Sequence, residues 1–366
     1  MDDRHWMDRA IALARRGEGK TRPNPPVGAV IVRDGVSVGE GYHHRAGKPH
    51  AEILALRAAG ARARGATLYV TLEPCSTRGR TGPCTDAILA AGIARVVVGT
   101  FDPNPAHGGR GIRRLRRAGV TVARYRTPAA CTALLRPFAC WVRQGRPYVT
   151  VKLALSLDGR IADARGHSQW ISGPPARRRV QDMRRRADAV LVGVRTVIRD
   201  DPSLLCRARG GNEALRVIAD PDGELPLSSR VLTDGETHRT VVATTRRCPG
   251  RRRAAFEARG ARVEILRRAG EGVSVRDLLN RLGRMELLHV LCEGGGLLAG
   301  ALARAKLADE YALFMAPLFL GDRALPSLRG VYWPLARAPR LEVIEWERVG
   351  EDVFIRARPV RICSPD

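Results

Sequence analysis

Alternating runs of apolar and polar residues divide the first part of the chain into short helices and strands. Apolar residues recur at helical spacing over 3–16, whereas 27–32 is a continuous apolar run typical of a buried strand. The pair Asp34-Gly35 then predicts a tight turn into a second strand over 36–41. The same patterns predict helices at 51–63 and 85–91 and strands at 67–72 and 94–99. Helices that alternate with strands in this way indicate an α/β domain.

A second module is predicted to begin near Gly145-Arg146-Pro147. Strands are predicted at 148–155, 189–192, 215–219, 240–243, 262–265, 289–292 and 310–316, and helices near 176–186, 251–258 and 275–284. The last stretch, 341–357, has the pattern of paired antiparallel strands that close the sheet. Because 366 residues suffice for two ordinary domains, we expect an α/β domain over 1–145 and another over 146–366.

The stretch from Pro49 to Cys84 contains the residues from which we infer chemistry. His50 begins a predicted helix, Cys75 follows a predicted strand, and Cys84 opens the next helix, where a thiolate is favoured. We therefore expect these three residues to bind zinc and to leave a fourth position for a water molecule. Bound zinc turns such a water into a nucleophile near neutral pH. Glu52 would then take the proton and pass it to a departing amine.

A structural zinc site is the alternative interpretation, but it usually has four protein ligands. No fourth Cys or His has suitable spacing, although His43 and His44 are close in sequence. The order of the ligands matches the H-x-E … P-C-x-x-C signature of zinc-dependent nucleobase deaminases. It departs from that signature in one respect, because the loop between Cys75 and Cys84 is much longer. The pattern favours catalysis.

The net charge of +26 is typical of a protein that binds a polyanion. Almost all of this charge is arginine, because the lysines are only Lys20, Lys48, Lys152 and Lys306. The arginines lie in short clusters without the interleaved aromatic residues that stack on bases. We interpret them as solvated helix faces and do not expect a nucleic-acid partner. A small phosphorylated substrate would still benefit from a few of them.

We expect neither a signal peptide nor a membrane-spanning helix in this chain. No apolar run approaches the roughly 18 residues that a membrane-spanning helix needs. The N-terminus lacks the apolar segment of a signal peptide. The 8 cysteines do not form a disulfide framework in a chain of this size. We expect a cytoplasmic protein with no membrane partner, and a homo-oligomer.

Residues 1–145 resemble the cytidine-deaminase-like superfamily, and in detail the deaminase half of the bifunctional riboflavin-biosynthesis enzymes. The residues that carry the resemblance are 23–28, 39–43, His50-Ala51-Glu52, Glu73-Pro74-Cys75 with the long loop to Cys84, and 102–105. The resemblance implies a three-layer α/β fold. It also implies that Asn24 lies in the pyrimidine nucleotide pocket, although a turn residue between two prolines is an equally good interpretation.

The second half contains weaker motifs that agree with one another. A glycine-rich run at 293–300 follows a predicted strand and opens a helix, where backbone can approach a phosphate. With 152–159, 168–172 and 193–202, this run resembles the reductase half of the same enzymes. The resemblance implies a dihydrofolate-reductase-like α/β fold that uses NADPH.

The resemblance also implies which residues contact each ligand of the second domain. The cofactor would be contacted by Ala154, Trp170, Thr196, Asp200, Gly295, Gly296, Leu297, Leu298, Ala299 and Gly300. The substrate would be contacted by Ser168, Arg184, Leu204, Arg207 and Glu293, and we add Lys152 because it is a rare lysine on a pocket strand. Lys152 could pair with Asp200 or help to protonate the sugar; a simple salt bridge is equally compatible.

The residues themselves predict one zinc ion, and the resemblance implies NADPH and a small pyrimidine nucleotide substrate. The resemblance further implies that the first reaction deaminates 2,5-diamino-6-ribosylamino-4(3H)-pyrimidinone 5′-phosphate and that the second reduces its ribosyl group to ribityl. The basic charge favours one alternative, a nucleic-acid base deaminase with a basic accessory domain. A non-catalytic RNA-binding protein on a deaminase scaffold is a second alternative, and the intact Glu52 opposes it.

Overall fold

The structure is a computed structural model that describes residues 2–77, 82–207 and 213–360. It divides into two compact units, Met1–Arg146 and Pro147–Asp366, and each is described by itself. None of the helices within the described residues is both long and apolar enough to cross a membrane.

The first unit contains five strands and five helices among its described residues. Their bounds are α1 Asp3–Arg15, β1 Gly28–Arg33, β2 Val36–Tyr42, α2 Ala51–Ala59, β3 Thr67–Val70, α3 Cys84–Ala90, β4 Arg95–Val98, α4 Arg110–Arg117, β5 Thr121–Arg124 and α5 Ala129–Gln144. The sheet order is β2-β1-β3-β4-β5. Strand β1 is antiparallel to β2 and β3, whereas β3, β4 and β5 run parallel.

Both faces of this sheet are covered by helices, because its central strands are apolar on both sides. Ile31 and Leu68 face a core that includes residues of α2, α3 and α4. Val30 and Tyr69 face the opposite core, which α1 and α5 complete. The predicted three-layer fold of the first domain is therefore confirmed.

The structure corrects several predicted element boundaries in this unit. The helix predicted over 51–63 ends at Ala59, and a 3-10 helix, Gly60–Ala63, follows it. The strand predicted to reach residue 72 ends at Val70. Helix α4 was not predicted because Ile112 and Leu115 are its only large apolar residues, and four of its eight residues are exposed arginines on one face.

The second unit is built on a nine-stranded sheet. The α-helices and strands described in this unit are β6 Tyr148–Ser156, β7 Arg160–Ala162, α6 Pro174–Arg186, β8 Ala189–Gly193, α7 Val194–Asp200, β9 Leu215–Ala219, β10 Thr240–Thr244, α8 Gly250–Glu257, β11 Arg262–Ile265, β12 Arg268–Ala269, β13 Gly272–Val273, α9 Val275–Arg284, β14 His289–Cys292, α10 Gly296–Arg304, β15 Glu310–Ala316, β16 Leu325–Pro326, β17 Leu341–Val349 and β18 Asp352–Pro359. Short 3-10 helices lie at Arg230–Leu232, Thr237–Arg239 and Leu335–Arg337. The sheet order is β11-β10-β9-β8-β14-β6-β15-β18-β17.

Seven strands of this sheet are parallel and two form an antiparallel edge. The ladders from β11 to β15 are all parallel, while β18 is antiparallel to both β15 and β17. The predicted strands of the second half and their closing antiparallel pair are confirmed. Helix α7 begins directly after β8, and α10 begins four residues after β14 ends. The carboxyl ends of parallel strands, where ligands bind in open α/β sheets, therefore carry two helix N-termini.

Candidate active sites

The first unit brings one imidazole and two sulfurs together. The Nδ1 atom of His50 lies 3.3 Å from the Sγ atom of Cys84 and 3.7 Å from the Sγ atom of Cys75. All three potential ligand atoms lie within 4.8 Å of one another, which makes this a candidate metal-binding group among the described residues. His50 precedes the first turn of α2, and Cys84 is the first residue of α3. The predicted ligands thus converge from two helix N-termini and one loop.

The charge state of this cluster suits a cation. A hydrogen bond from the Cys84 thiol, supported by His50, lowers the pKa of Cys75 to about 4 despite its burial. The backbone N–H of Cys84 also donates to the Cys75 sulfur at 3.3 Å. The pKa of Cys84 is raised because its thiol donates to Cys75 and is buried. A zinc ion would take the place of that shared proton and meet the nitrogen and sulfur ligands that it prefers.

Glu52 lies in the first turn of α2 and is only 3% exposed. Burial raises the pKa of its carboxyl group, and the nearby charge of His50 acts in the opposite direction. A carboxyl group with a raised pKa is suited to both accepting and donating a proton near neutral pH. The predicted proton carrier, two residues from a candidate metal ligand, is thus shielded from bulk water.

His43 is a component of this site that the sequence analysis considered only as a spare metal ligand. Its Nδ1 atom lies 3.2 Å from the carbonyl oxygen of Pro49, and its Nε2 atom lies 3.0 Å from the amide nitrogen of Asn24. Nδ1–H donates to Pro49, so Nε2 accepts from Asn24. The His43 ring also packs edge-on against His50, with ring centroids 5.3 Å apart. Asn24 is thereby oriented next to the candidate metal ligands.

Glu73 is a second component that the sequence analysis did not assign. Its carboxylate accepts hydrogen bonds from the backbone N–H groups of Gly109, Gly111 and Ile112 at 2.8, 2.9 and 3.2 Å. It also accepts from the N–H of Asp102 at 3.3 Å. No sequence signal indicated this role, because the partners of Glu73 lie at the start of α4, which was not predicted. Glu73 anchors the start of α4 against the turn that carries Cys75.

The second unit contains a cavity of about 920 Å³. Most of the predicted cofactor and substrate residues of this unit lie on its wall. They are Ala154, Trp170, Thr196, Asp200, Gly295, Gly296, Leu297, Leu298, Lys152, Ser168, Arg184, Leu204, Arg207 and Glu293. A volume of this size lies within the range of small-molecule and cofactor sites.

Ala299 and Gly300 do not line this cavity. Ala299 is fully buried in the main core of the unit. A Cβ atom on Gly300 would lie 2.1 Å from the carbonyl oxygen of Arg329, so this glycine permits α10 to pack closely on the neighbouring chain segment. Both residues face away from the ligand space because a helix turns its successive residues through about 100° each.

Three charged side chains on the cavity wall contact one another. Arg184 donates to both oxygens of Glu293 at 2.6 and 3.1 Å. The ammonium group of Lys152 lies 3.9 Å from the same carboxylate, so Lys152 pairs with Glu293 and not with Asp200. Burial would raise the pKa of Glu293, but the charges of Arg184 and Lys152 outweigh it and lower that pKa. Burial lowers the pKa of Lys152, and Glu293 offsets part of this effect.

Asp200 and Trp170 lie elsewhere on the cavity wall. Asp200 accepts a hydrogen bond from the Ser168 hydroxyl at 3.5 Å, and burial raises the pKa of its carboxyl group. Trp170 is 65% exposed, and the guanidinium of Arg177 stacks over its ring at 4.6 Å. The hairpin of β12 and β13 also contributes to the wall. Its two-residue strands are too short to leave a recognisable sequence pattern.

Comparisons with known families match a different type of enzyme domain to each part of the chain. Residues 1–100 match a family model described as the cytidine and deoxycytidylate deaminase zinc-binding region. Residues 147–355 match a family model described as the RibD C-terminal domain. A deaminase region joined to a reductase domain defines a bifunctional enzyme, a hydrolase and an oxidoreductase in one chain. The two domains imply a metal ion and a nicotinamide cofactor.

Individual relatives extend this similarity over almost the whole chain. The riboflavin biosynthesis protein RibD of Escherichia coli is 43% identical over 97% of this chain and 99% of its own length. The RibD of Aquifex aeolicus is 40% identical over 96% of this chain and 97% of its own. The structure of Acinetobacter baumannii RibD superposes with a TM-score of 0.87 at 37% identity, and covers 98% of this chain and 99% of that one. The chain belongs to the RibD family of bifunctional deaminase/reductases of riboflavin biosynthesis.

Proposed function

We propose that the first unit deaminates 2,5-diamino-6-ribosylamino-4(3H)-pyrimidinone 5′-phosphate and that the second reduces the ribosyl group of the product to ribityl with NADPH. The observation that carries the proposal is the convergence of His50, Cys75 and Cys84 beside the buried Glu52. A solved structure from Thermotoga maritima supports it, since that protein is described as a diaminohydroxyphosphoribosylaminopyrimidine deaminase/5-amino-6-(5-phosphoribosylamino)uracil reductase. It is 35% identical and superposes with a TM-score of 0.85.

In the deaminase unit, one zinc ion per chain would be held by His50 Nδ1 and the sulfurs of Cys75 and Cys84. When bound, zinc supplies a Lewis acid that activates water at its open position. Glu52 accepts a proton from the attacking water and delivers it to the departing amine, which leaves as ammonia. Its burial keeps that proton out of exchange with solvent. Asn24, held by His43, presents its remaining amide hydrogen and its oxygen to the pyrimidine.

In the reductase unit, NADPH would occupy the cavity along Gly295 and Gly296 and supply the reducing equivalents. The N-terminus of α10 offers backbone N–H groups to a phosphate of the cofactor. Lys152 lies in the same cavity, and its lowered pKa makes it a better proton donor to the sugar. Glu293 fixes the position of Lys152 and Arg184. Arg207, which is exposed at the rim, would contact the substrate phosphate.

The physiological partners that we propose are small molecules and a second copy of the chain. A pyrimidine nucleotide fits a site that consists of three ligands for one metal ion and the side-chain amide of Asn24. We do not propose nucleic acid as a substrate, and we place the reaction in the cytoplasm, where both nucleotides and NADPH are available.

The proposal is tested by Glu52→Gln, assayed in two separate steps. Ammonia release from the diaminopyrimidine nucleotide, measured without NADPH, should fall by about 10²–10⁴-fold, the contribution of general acid–base catalysis. Reduction of the already deaminated intermediate with NADPH should be unchanged, and the zinc content should stay at that of the wild type.

A matched control is Glu257→Gln, which makes the same chemical change at an exposed position in α8. This variant should retain both activities. Wild-type protein that releases ammonia from RNA but not from the free nucleotide would contradict the proposal. Undiminished ammonia release by Glu52→Gln would contradict the role of Glu52.

A further inference from the structure

Helix α4 presents a row of arginines next to the deaminase site. Arg110, Arg113, Arg114 and Arg117 are spaced so that they share one face of the helix. All four are exposed, and together with Ser76 they line a cavity of about 400 Å³. Clusters of arginine are typical of solvated helix faces, but these four side chains converge with Ser76 on one open cavity.

Most of the positive charge on this arginine face is not balanced by acidic side chains among the described residues. Arg114 pairs with Asp86 at 2.5 Å. Within the part of the chain that the structure describes, Arg110, Arg113 and Arg117 take part in no ion pair. Like charges three or four residues apart destabilise a helix, so this arrangement is unfavourable without an anion. By contrast, Arg116 points to another side of α4 and donates to the carbonyl oxygen of Val122 at 3.0 Å.

The arginine face is held in place by the residues that carry the metal ligand. A Cβ atom on Gly111 would lie 2.0 Å from the carbonyl oxygen of Pro74, so α4 is packed directly on the turn before Cys75. Ser76, on the cavity wall, is the residue that follows Cys75. The N–H groups at the start of α4 are already bound by Glu73. The donors that remain for an anion in this cavity are the arginine guanidinium groups and Ser76.

We propose that this arginine face binds the 5′-phosphate of the nucleotide that is deaminated at the adjacent metal centre. The inference rests on the proposed function, which makes the substrate a phosphate monoester. Guanidinium groups form paired, charge-assisted hydrogen bonds with phosphate oxygens, and two or more of them can surround one phosphate dianion. The phosphate takes no part in the chemistry, so its binding serves to position the pyrimidine ring at the metal centre.

The test compares two substrates in the absence of NADPH, the diaminopyrimidine nucleotide and its dephosphorylated nucleoside. Wild-type protein should show a higher kcat/KM for ammonia release from the nucleotide. The double variant Arg113→Ala/Arg117→Ala should reduce this preference about tenfold or more, since each tenfold step corresponds to about 1.4 kcal/mol of binding. Its kcat/KM for the nucleoside should stay at the wild-type value, which also shows that the variant is folded and holds its metal.

Arg116→Ala is the matched control, because it removes the same charge from the same helix outside the cavity. It should leave the preference for the nucleotide intact. Rising salt concentration should weaken the preference of the wild type but not that of the double variant. An unchanged preference in the double variant, or an equal loss in Arg116→Ala, would overturn the inference while leaving the proposed function in place. Wild-type protein that deaminates neither compound would instead refute the proposed function.

Discussion

Replacement of Glu73 by glutamine tests how the deaminase unit holds its catalytic turn. The Glu73 side chain is 5% exposed, and each of its two carboxylate oxygens accepts two backbone N–H groups. Glutamine keeps the shape of the side chain but replaces one oxygen with an NH₂ group. Whichever way the amide turns, two N–H donors then face another donor and lose their acceptor.

The size of the expected destabilisation follows from those two lost hydrogen bonds. A hydrogen bond to a charged group contributes about 1.5–3 kcal/mol, so Glu73→Gln should destabilise the first unit by about 3–6 kcal/mol. All of the partners of Glu73 belong to Met1–Arg146, so the second unit should keep its stability. The start of α4 should loosen together with the turn that carries Cys75.

The assay follows the loss of each activity as urea is added. With a slope of about 1–3 kcal/mol per molar urea, a loss of about 3 kcal/mol lowers the midpoint for ammonia release by about 1–3 M. The midpoint for NADPH-dependent reduction should not move. If the two midpoints shift together, or if neither shifts, the carboxylate does not anchor α4 as the hydrogen bonds indicate.

Further predictions concern both chemistries. Asp200→Ala should impair NADPH-dependent reduction and spare deamination, because Asp200 lies only on the wall of the reductase cavity; two unchanged activities would refute this placement. Removal of the metal with a chelator should abolish ammonia release and leave reduction of the deaminated intermediate intact, and added zinc should restore the lost activity. Gly111→Ala should lower deaminase activity and stability, because its Cβ would lie 2.0 Å from the Pro74 carbonyl oxygen; wild-type thermal inactivation would contradict this close approach.

Most of the sheet could be predicted from the sequence because its strands are continuous apolar runs. Strands β1, β8 and β10 bury both faces, so most of their residues are apolar and contribute to the pattern. Helix α4 could not be predicted in this way, because its burial depends on Ile112 and Leu115 alone. Its position is determined by the Glu73 carboxylate and by contact with Pro74, and these interactions are distant in sequence.

The candidate metal ligands could be recognised in the sequence for a different reason. Imidazole and thiolate are rare donors, and their order along the chain already defines a deaminase pattern. The contact between Asn24 and His43 had no such pattern, because it depends on how the loop after β2 returns past Val27.

The sequence by itself determined the types of donor atom, the alternation of helices and strands, and the family. Only the tertiary structure decided which charges meet. Lys152 pairs with Glu293 because the parallel register of β6 and β14 sets Val151 opposite Cys292, and Lys152 and Glu293 directly follow these two residues. Four arginines of α4 line one cavity because Glu73 and Gly111 fix the rotation and depth of that helix. Strand register and helix packing arise from contacts summed over the whole core, and no short stretch of residues contains them.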